Sequence, residues 1–222
     1  MLRSIGAVFR MLVQPAEVYP LIRERSPLAG PMLLVAAVGV LAAWMIVPNL
    51  QELARQQLAL QPELPAEASA FATTATLWSA LIGGAVGPIF YALLTAAILA
   101  LGMLFTGGTL RYRQAFSLSL FAYAPLLLST LLGSGMVMAG VVTNVTEAVT
   151  SAALVLGPEA AGTWPYRLLD LIAPFEWWHV GLLAGGVRHL ADTSSRTAWA
   201  LAVVVWLLLY ASVTLIAGPL AF

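Results

Sequence analysis

Five stretches of this chain are long and apolar enough to cross the roughly 30 Å hydrocarbon layer of a bilayer. Four of the five carry no charged residue. They cover residues 31–50, 77–105, 115–142, 168–190 and 198–219. About 20 apolar residues suffice for a span, so the second and third are overlong and must tilt, kink or project. Pro88 and Pro125 are the expected kink points, since each removes a helix hydrogen bond. A soluble reading fails on charge. Only 9% of the 222 residues are charged and 61% are hydrophobic, whereas a solvated domain carries about a quarter charged residues. The sequence predicts an all-α, polytopic membrane protein. Five transmembrane helices occupy residues 29–222, and a short N-terminal amphipathic interfacial helix lies within a cytoplasmic segment, residues 1–28.

Arginine placement orients the chain. All ten basic residues are arginines. Arg3, Arg10, Arg23 and Arg25 precede the first span, Arg111 and Arg113 separate the second from the third, and Arg188 and Arg196 separate the fourth from the fifth. The opposite side has Arg55 and Arg167, with Glu52, Glu63, Glu67, Glu147 and Glu159. Loops rich in Lys and Arg stay cytoplasmic. The N-terminus is therefore predicted to be cytoplasmic and the C-terminus to lie on the far side, in the cytoplasmic membrane if the source is prokaryotic. Ile5, Val8, Phe9 and Leu12 repeat at helical spacing with Arg3 and Arg10 opposite, which suits a helix at the membrane surface. Pro15 and Pro20 limit its length. The apolar run Val8–Val13 is short and broken by Arg10, so no cleaved signal is expected.

The far-side connections differ in kind. Residues 51–76 are predicted to be a polar, alanine-rich loop in which Pro62 and Pro65 break any long helix. The apolar patch at residues 148–157 is too short to cross and is predicted to be interfacial or re-entrant. Asn144-Val145-Thr146 fits the glycosylation pattern. On the cytoplasmic side, Gly107 and Gly108 are expected to end the second helix in a tight turn. That turn, and the N-terminal helix, would present Arg3, Arg10, Arg111 and Arg113 to lipid headgroups or to a partner. Zero net charge and no basic tract exclude nucleic acid as a partner, and the absence of cysteine excludes disulfides and thiol chemistry.

Small residues recur four apart at Gly83 with Gly87 and at Gly181 with Gly185, spacing that lets helix backbones approach closely in lipid. Packing within the bundle, or between two copies, would use them. The fourth span holds Pro174-Phe175-Glu176-Trp177-Trp178-His179. Glu176 and His179 share a helix face. A Glu-x-x-His pair is a metal-ligand spacing in helix bundles, and Asp170 could join it. The other reading is interfacial. Pro174 opens a helix, Glu176 sits in its first turn where the dipole favours negative charge, Trp177 and Trp178 join an aromatic belt, and the pair need not face the bundle core. No Ser/His, paired-Asp or His-Glu-x-x-His arrangement occurs, so no enzymatic activity is expected.

Several motifs resemble the Yip family, the Ypt/Rab-interacting-protein domain of five-span membrane proteins. They are Val13-Gln14-Pro15-Ala16-Glu17, the Gly107-Gly108 turn with Tyr112-Arg113-Gln114-Ala115-Phe116, and Tyr123-Ala124-Pro125. Asp170-Leu171 with Trp178, Leu182 and Gly185, and then Ser194-Ser195-Arg196-Thr197-Ala198, extend the resemblance over nearly the whole chain. It implies five spans and no catalytic residues. Eukaryotic members bind small GTPases of vesicle traffic and carry a substantial cytosolic N-terminal region. This chain has about 28 residues there, which speaks against GTPase binding and looks more like the prokaryotic relatives. The expected function is a non-enzymatic membrane scaffold or adaptor, bound to the bilayer and to another membrane protein or a second copy. It would bear on membrane organisation or trafficking and need no cofactor. The alternative is a small transporter or channel component with a metal or proton site at Glu176 and His179.

Overall fold

The computed structural model describes residues 2–60, 66–142, 150–160 and 162–211. Pro62, Glu63, Pro65, Asn144-Val145-Thr146, Glu147 and residues 212–219 of the expected fifth span lie outside the described residues. The described chain is helical throughout, with no strand. Its helices are α1 (Leu2–Val13), α2 (Pro15–Arg25), α3 (Ala29–Ala59), α4 (Ala66–Phe105), α5 (Tyr112–Ala122), α6 (Ala124–Met138), α7 (Trp164–Asp170), α8 (Pro174–Leu190) and α9 (Ser195–Trp206). A π turn, Leu207–Ala211, extends α9.

Three helical runs are long and apolar enough to cross a membrane: residues 29–59, 70–105 and 112–138. The fourth and fifth expected spans give shorter helices. The fourth does not begin at residue 168. Ala173 is extended and Pro174 occupies the first helical position, so α8 starts there and its 17 residues measure about 25 Å. The expected loop at residues 51–76 is mostly helix. Alanine, glutamine, glutamate and leucine carry α3 on to Ala59, and α4 begins at Ala66. At 31 and 40 residues, α3 and α4 are roughly 46 and 60 Å long, well beyond the bilayer's apolar thickness.

Proline shapes the rest. Pro125 interrupts the third span, so α5 ends at Ala122 and α6 starts at Ala124. Pro88, by contrast, is accommodated inside α4. At the other end of α4, Gly107 has φ +73 and the helix closes with two reverse hydrogen bonds, Gly108 N to Met103 O (3.1 Å) and Gly107 N to Leu104 O (3.3 Å).

The core sits around α5, whose residues Ala115–Ala122 are all buried, with Leu182, Leu183 and Val187 of α8 among the buried residues that complete it. The N-terminal segment forms two helices rather than one. It packs into this core through Ala7, Val8, Met11 and Ile22, while Phe9 of the expected stripe is 56% exposed. The tightest helix crossing joins α3 and α4 at Gly39 and Gly84. A Cβ on Gly84 would lie 2.5 Å from the Gly39 carbonyl oxygen, and a Cβ on Gly39 would strike the Gly84 backbone. The close approach thus falls on Gly84, whereas a Cβ on Gly83 or Gly87 would meet nothing within 4 Å.

Candidate functional site

The polar pair of α8 is drawn into the bundle. Pro174 starts the helix, the Trp177 indole donates to Leu171 O (3.1 Å), and Glu176 lies in the first turn. One turn on, His179 is 1% exposed. Its Nδ1 donates to the Ala122 carbonyl at 2.7 Å. The expectation that the pair need not face the core is therefore corrected for His179. The physical reason lies on a different helix. Pro125 has no N–H to give and breaks the ladder between α5 and α6, so a carbonyl at the break is open to a donor from α8.

Aromatic rings enclose this histidine. Tyr91 of α4 and Tyr123, at the α5–α6 break, have ring centroids 5.8 and 6.4 Å from it and 5.5 Å from each other. Thr95, one turn beyond Tyr91, is fully buried. Several buried polar atoms around this region make no hydrogen bond: Tyr91 Oη, Thr95 Oγ1, Glu176 Oε2 and His179 Nε2, with Trp206 Nε1 on α9. Buried polar groups are almost always paired, so each of these atoms calls for a partner.

Asp170 is positioned differently. Its carboxylate accepts from Ser151 Oγ at 2.6 Å and its backbone carbonyl from the Tyr210 hydroxyl at 3.1 Å. Among the described residues no three of His, Asp and Glu converge on a common point, so Asp170 does not complete a ligand set with Glu176 and His179. Beside them, Trp177 stacks within 4.9 Å of Trp206, which lies 6.0 Å from Tyr210. Trp177 and Trp178 both stay partly exposed.

The opposite end of the bundle is basic. Arg23 pairs with Asp192 and donates to the His189 carbonyl (3.2 Å), and the Gln114 amide donates to Arg23 O (3.1 Å). These contacts bring the C-termini of α2 and α8 and the N-terminus of α5 together. The Tyr19 hydroxyl donates to Leu182 O at 3.0 Å, and burial pushes it up to about 12. Gly185 makes room for it, since a Cβ there would sit 2.6 Å from that hydroxyl. Gly181 is less constrained: its Cβ would lie 3.9 Å from Trp199. Arg10, Arg111 and Arg113 are exposed, and Arg3 stands at the start of α1.

Residues 9–216 match the Yip1 domain over almost the full chain. The chain belongs to the Yip1 domain family. It is also 27% identical over 207 residues to the membrane protein YknW of Bacillus subtilis (strain 168), a match that covers 90% of this chain and 85% of that one. No solved structure matches. The protein is thus a Yip1-family membrane protein. The stretch Tyr123-Ala124-Pro125 is the element that opens the Ala122 carbonyl to His179.

Tyr91, Thr95 and Tyr123 carry no Asp, Glu or His signature, so the sequence did not mark them as neighbours of His179. Hydroxyl groups in a membrane span were the available signal, and Pro125 beside Tyr123 was a second.

Proposed function

We propose that this protein is a non-enzymatic membrane scaffold or adaptor, binding another membrane protein or a second copy of itself side by side in the bilayer and so organising membranes. The outer face of α4 carries this reading. Ala75, Ser79, Gly83 and Gly87 recur at four-residue spacing along it and are exposed, and a Cβ on either glycine would meet nothing within the molecule. Gly39 and Gly84 show what such residues do here: they let α3 and α4 touch backbone to backbone. The basic end supports a cytoplasmic N-terminus and a far-side C-terminus. Arg10, Arg23, Arg25, Arg111, Arg113, Arg188 and Arg196 are all exposed, and all but Arg10 lie at the end where α2, α5, α8 and α9 meet.

The chain has no cysteine, so single cysteines report contacts cleanly. Gly83→Cys and Gly87→Cys are expected to cross-link in native membranes, whereas Leu132→Cys, exposed on α6, stays uncross-linked. Recovery of monomer alone from both glycine positions would count against a scaffold of this kind. A second reading, a small transporter or channel component, draws on the unpartnered polar atoms around His179. Solute flux in proteoliposomes separates the two, since a scaffold gives none.

A further inference from the structure

We propose that Glu176 and His179 form a proton-binding site inside the helix bundle, reached from the end of the molecule where α8 begins. The argument starts from which atoms carry hydrogen. The Ala122 carbonyl cannot donate, so the 2.7 Å contact requires the proton on His179 Nδ1. In the neutral ring Nε2 is then a bare lone pair. It is buried, in a side chain 1% exposed, and nothing donates to it. Glu176 Oε2, one turn earlier on the same helix, is also a buried acceptor without a donor.

Two unsatisfied acceptors one turn apart on α8 lack the same thing, and they form no ion pair with each other. Each is costly when left unpaired, and more so if charged. One proton gives one of the two what it lacks. It also removes the net charge of the pair, which changes from −1 to 0, and a buried carboxylate is costly where nothing pairs with it. The proton comes from water and settles on Nε2 or on the carboxylate, while the Nδ1 proton stays on Ala122. No covalent bond between heavy atoms forms or breaks.

The surroundings agree with a proton better than with a metal ion. From α4 the pair faces Tyr91, from the α5–α6 break Tyr123, from α7 Asp170, and Tyr210 beyond α9 lies within electrostatic reach of Tyr91. No described arginine forms an ion pair with Glu176. One carboxylate and one imidazole, with no third such ligand among the described residues, would leave a divalent ion with uncompensated charge. The start of α8 borders open space. A cleft of about 480 Å³ opens between Leu132, Met136, Ser151, Ile172, Pro174 and Phe175. Phe175 precedes Glu176, and Ser151 holds the Asp170 carboxylate. The site is independent of either functional reading, because a scaffold can hold a proton without carrying it across.

Infrared difference spectra of the full chain in lipid nanodiscs, recorded between acidic and alkaline buffer, test this. The wild type is expected to show the C=O stretch of a buried protonated carboxyl that shifts in deuterated water. The band disappears in Glu176→Gln, a neutral isostere. It moves in frequency or in pH midpoint in His179→Asn, which offers a donor to Ala122 but lacks Nε2. Circular dichroism verifies that each variant is folded, and Glu176→Gln decides alone if His179→Asn is not. A band that survives Glu176→Gln, or that His179→Asn leaves untouched, overturns the proposal. So does purification of the wild type with one equivalent of a divalent metal that both variants lose.

Discussion

α5 and the outer face of α4 are both apolar membrane helix, yet they are built for opposite surroundings. α5 is 11 residues long, and eight of those in succession are buried. Its serines are paired: Ser117 donates to Pro27 O (3.0 Å) and Ser119 to Ala115 O (2.8 Å). α4 is 40 residues long and exposes Trp78, Ile82, Val86 and Phe90 beside its glycines. In water such a face would be a liability. In lipid it costs nothing, because hydrocarbon tails are as apolar as the side chains. Exposure of apolar residues is therefore uninformative in this protein. The informative features are small residues that face outward and polar atoms that face inward without a partner.

Substitutions can break this contrast, and the largest effect should come where backbone meets backbone. Gly39→Val drives a side chain into the Gly84 main chain, which cannot yield. A loss of about 3 kcal/mol is expected, read as a lowered unfolding midpoint in detergent. Gly83→Val, on the outer face of the partner helix, should change monomer stability by less than about 0.5 kcal/mol. Gly186→Val comes next. Its nearest neighbour is the Leu118 side chain, which can move, so about 1–2 kcal/mol is expected by the same measurement.

Smaller effects sharpen the comparison at the basic end. Tyr19→Phe removes the hydrogen bond to Leu182 O and should cost about 1 kcal/mol. Because that bond joins α2 to α8, faster proteolysis within residues 14–25 is the expected readout. Arg23→Ala breaks an exposed pair with Asp192 and should cost under about 1 kcal/mol, diminishing further in high salt. If Arg23→Ala proved the more damaging of the two, the arginine end would be a structural clamp rather than a surface open to lipid or partners.

Much of the fold was legible because lipid imposes simple rules. Uncharged runs had to be helices, and Pro174 and the Gly107-Gly108 turn marked helix ends by backbone chemistry alone. The extent of α3 and α4 was less legible. Pro62 and Pro65 suggested a long loop, but the alanines and glutamines before them keep α3 helical to Ala59, and α4 is helical from Ala66. The glycine spacing pointed to Gly83 and Gly87, but the close crossing is made by Gly84 against Gly39, since Gly83 and Gly84 are adjacent and occupy different faces.

By itself, then, the sequence determined an all-helical membrane protein of this family, with a basic end and a polar pair in the fourth apolar stretch. Local rules suffice for those features, because helix formation, proline and charge segregation act over a few residues or along one element. Only the tertiary structure decided that His179 turns inward to a carbonyl on α5 and that Tyr91 and Tyr123 surround it. Only it decided, too, that Gly84 faces Gly39 while Gly83 faces out. Those outcomes depend on the rotation of one helix against another, which is fixed by side chains from three or four elements meeting at once.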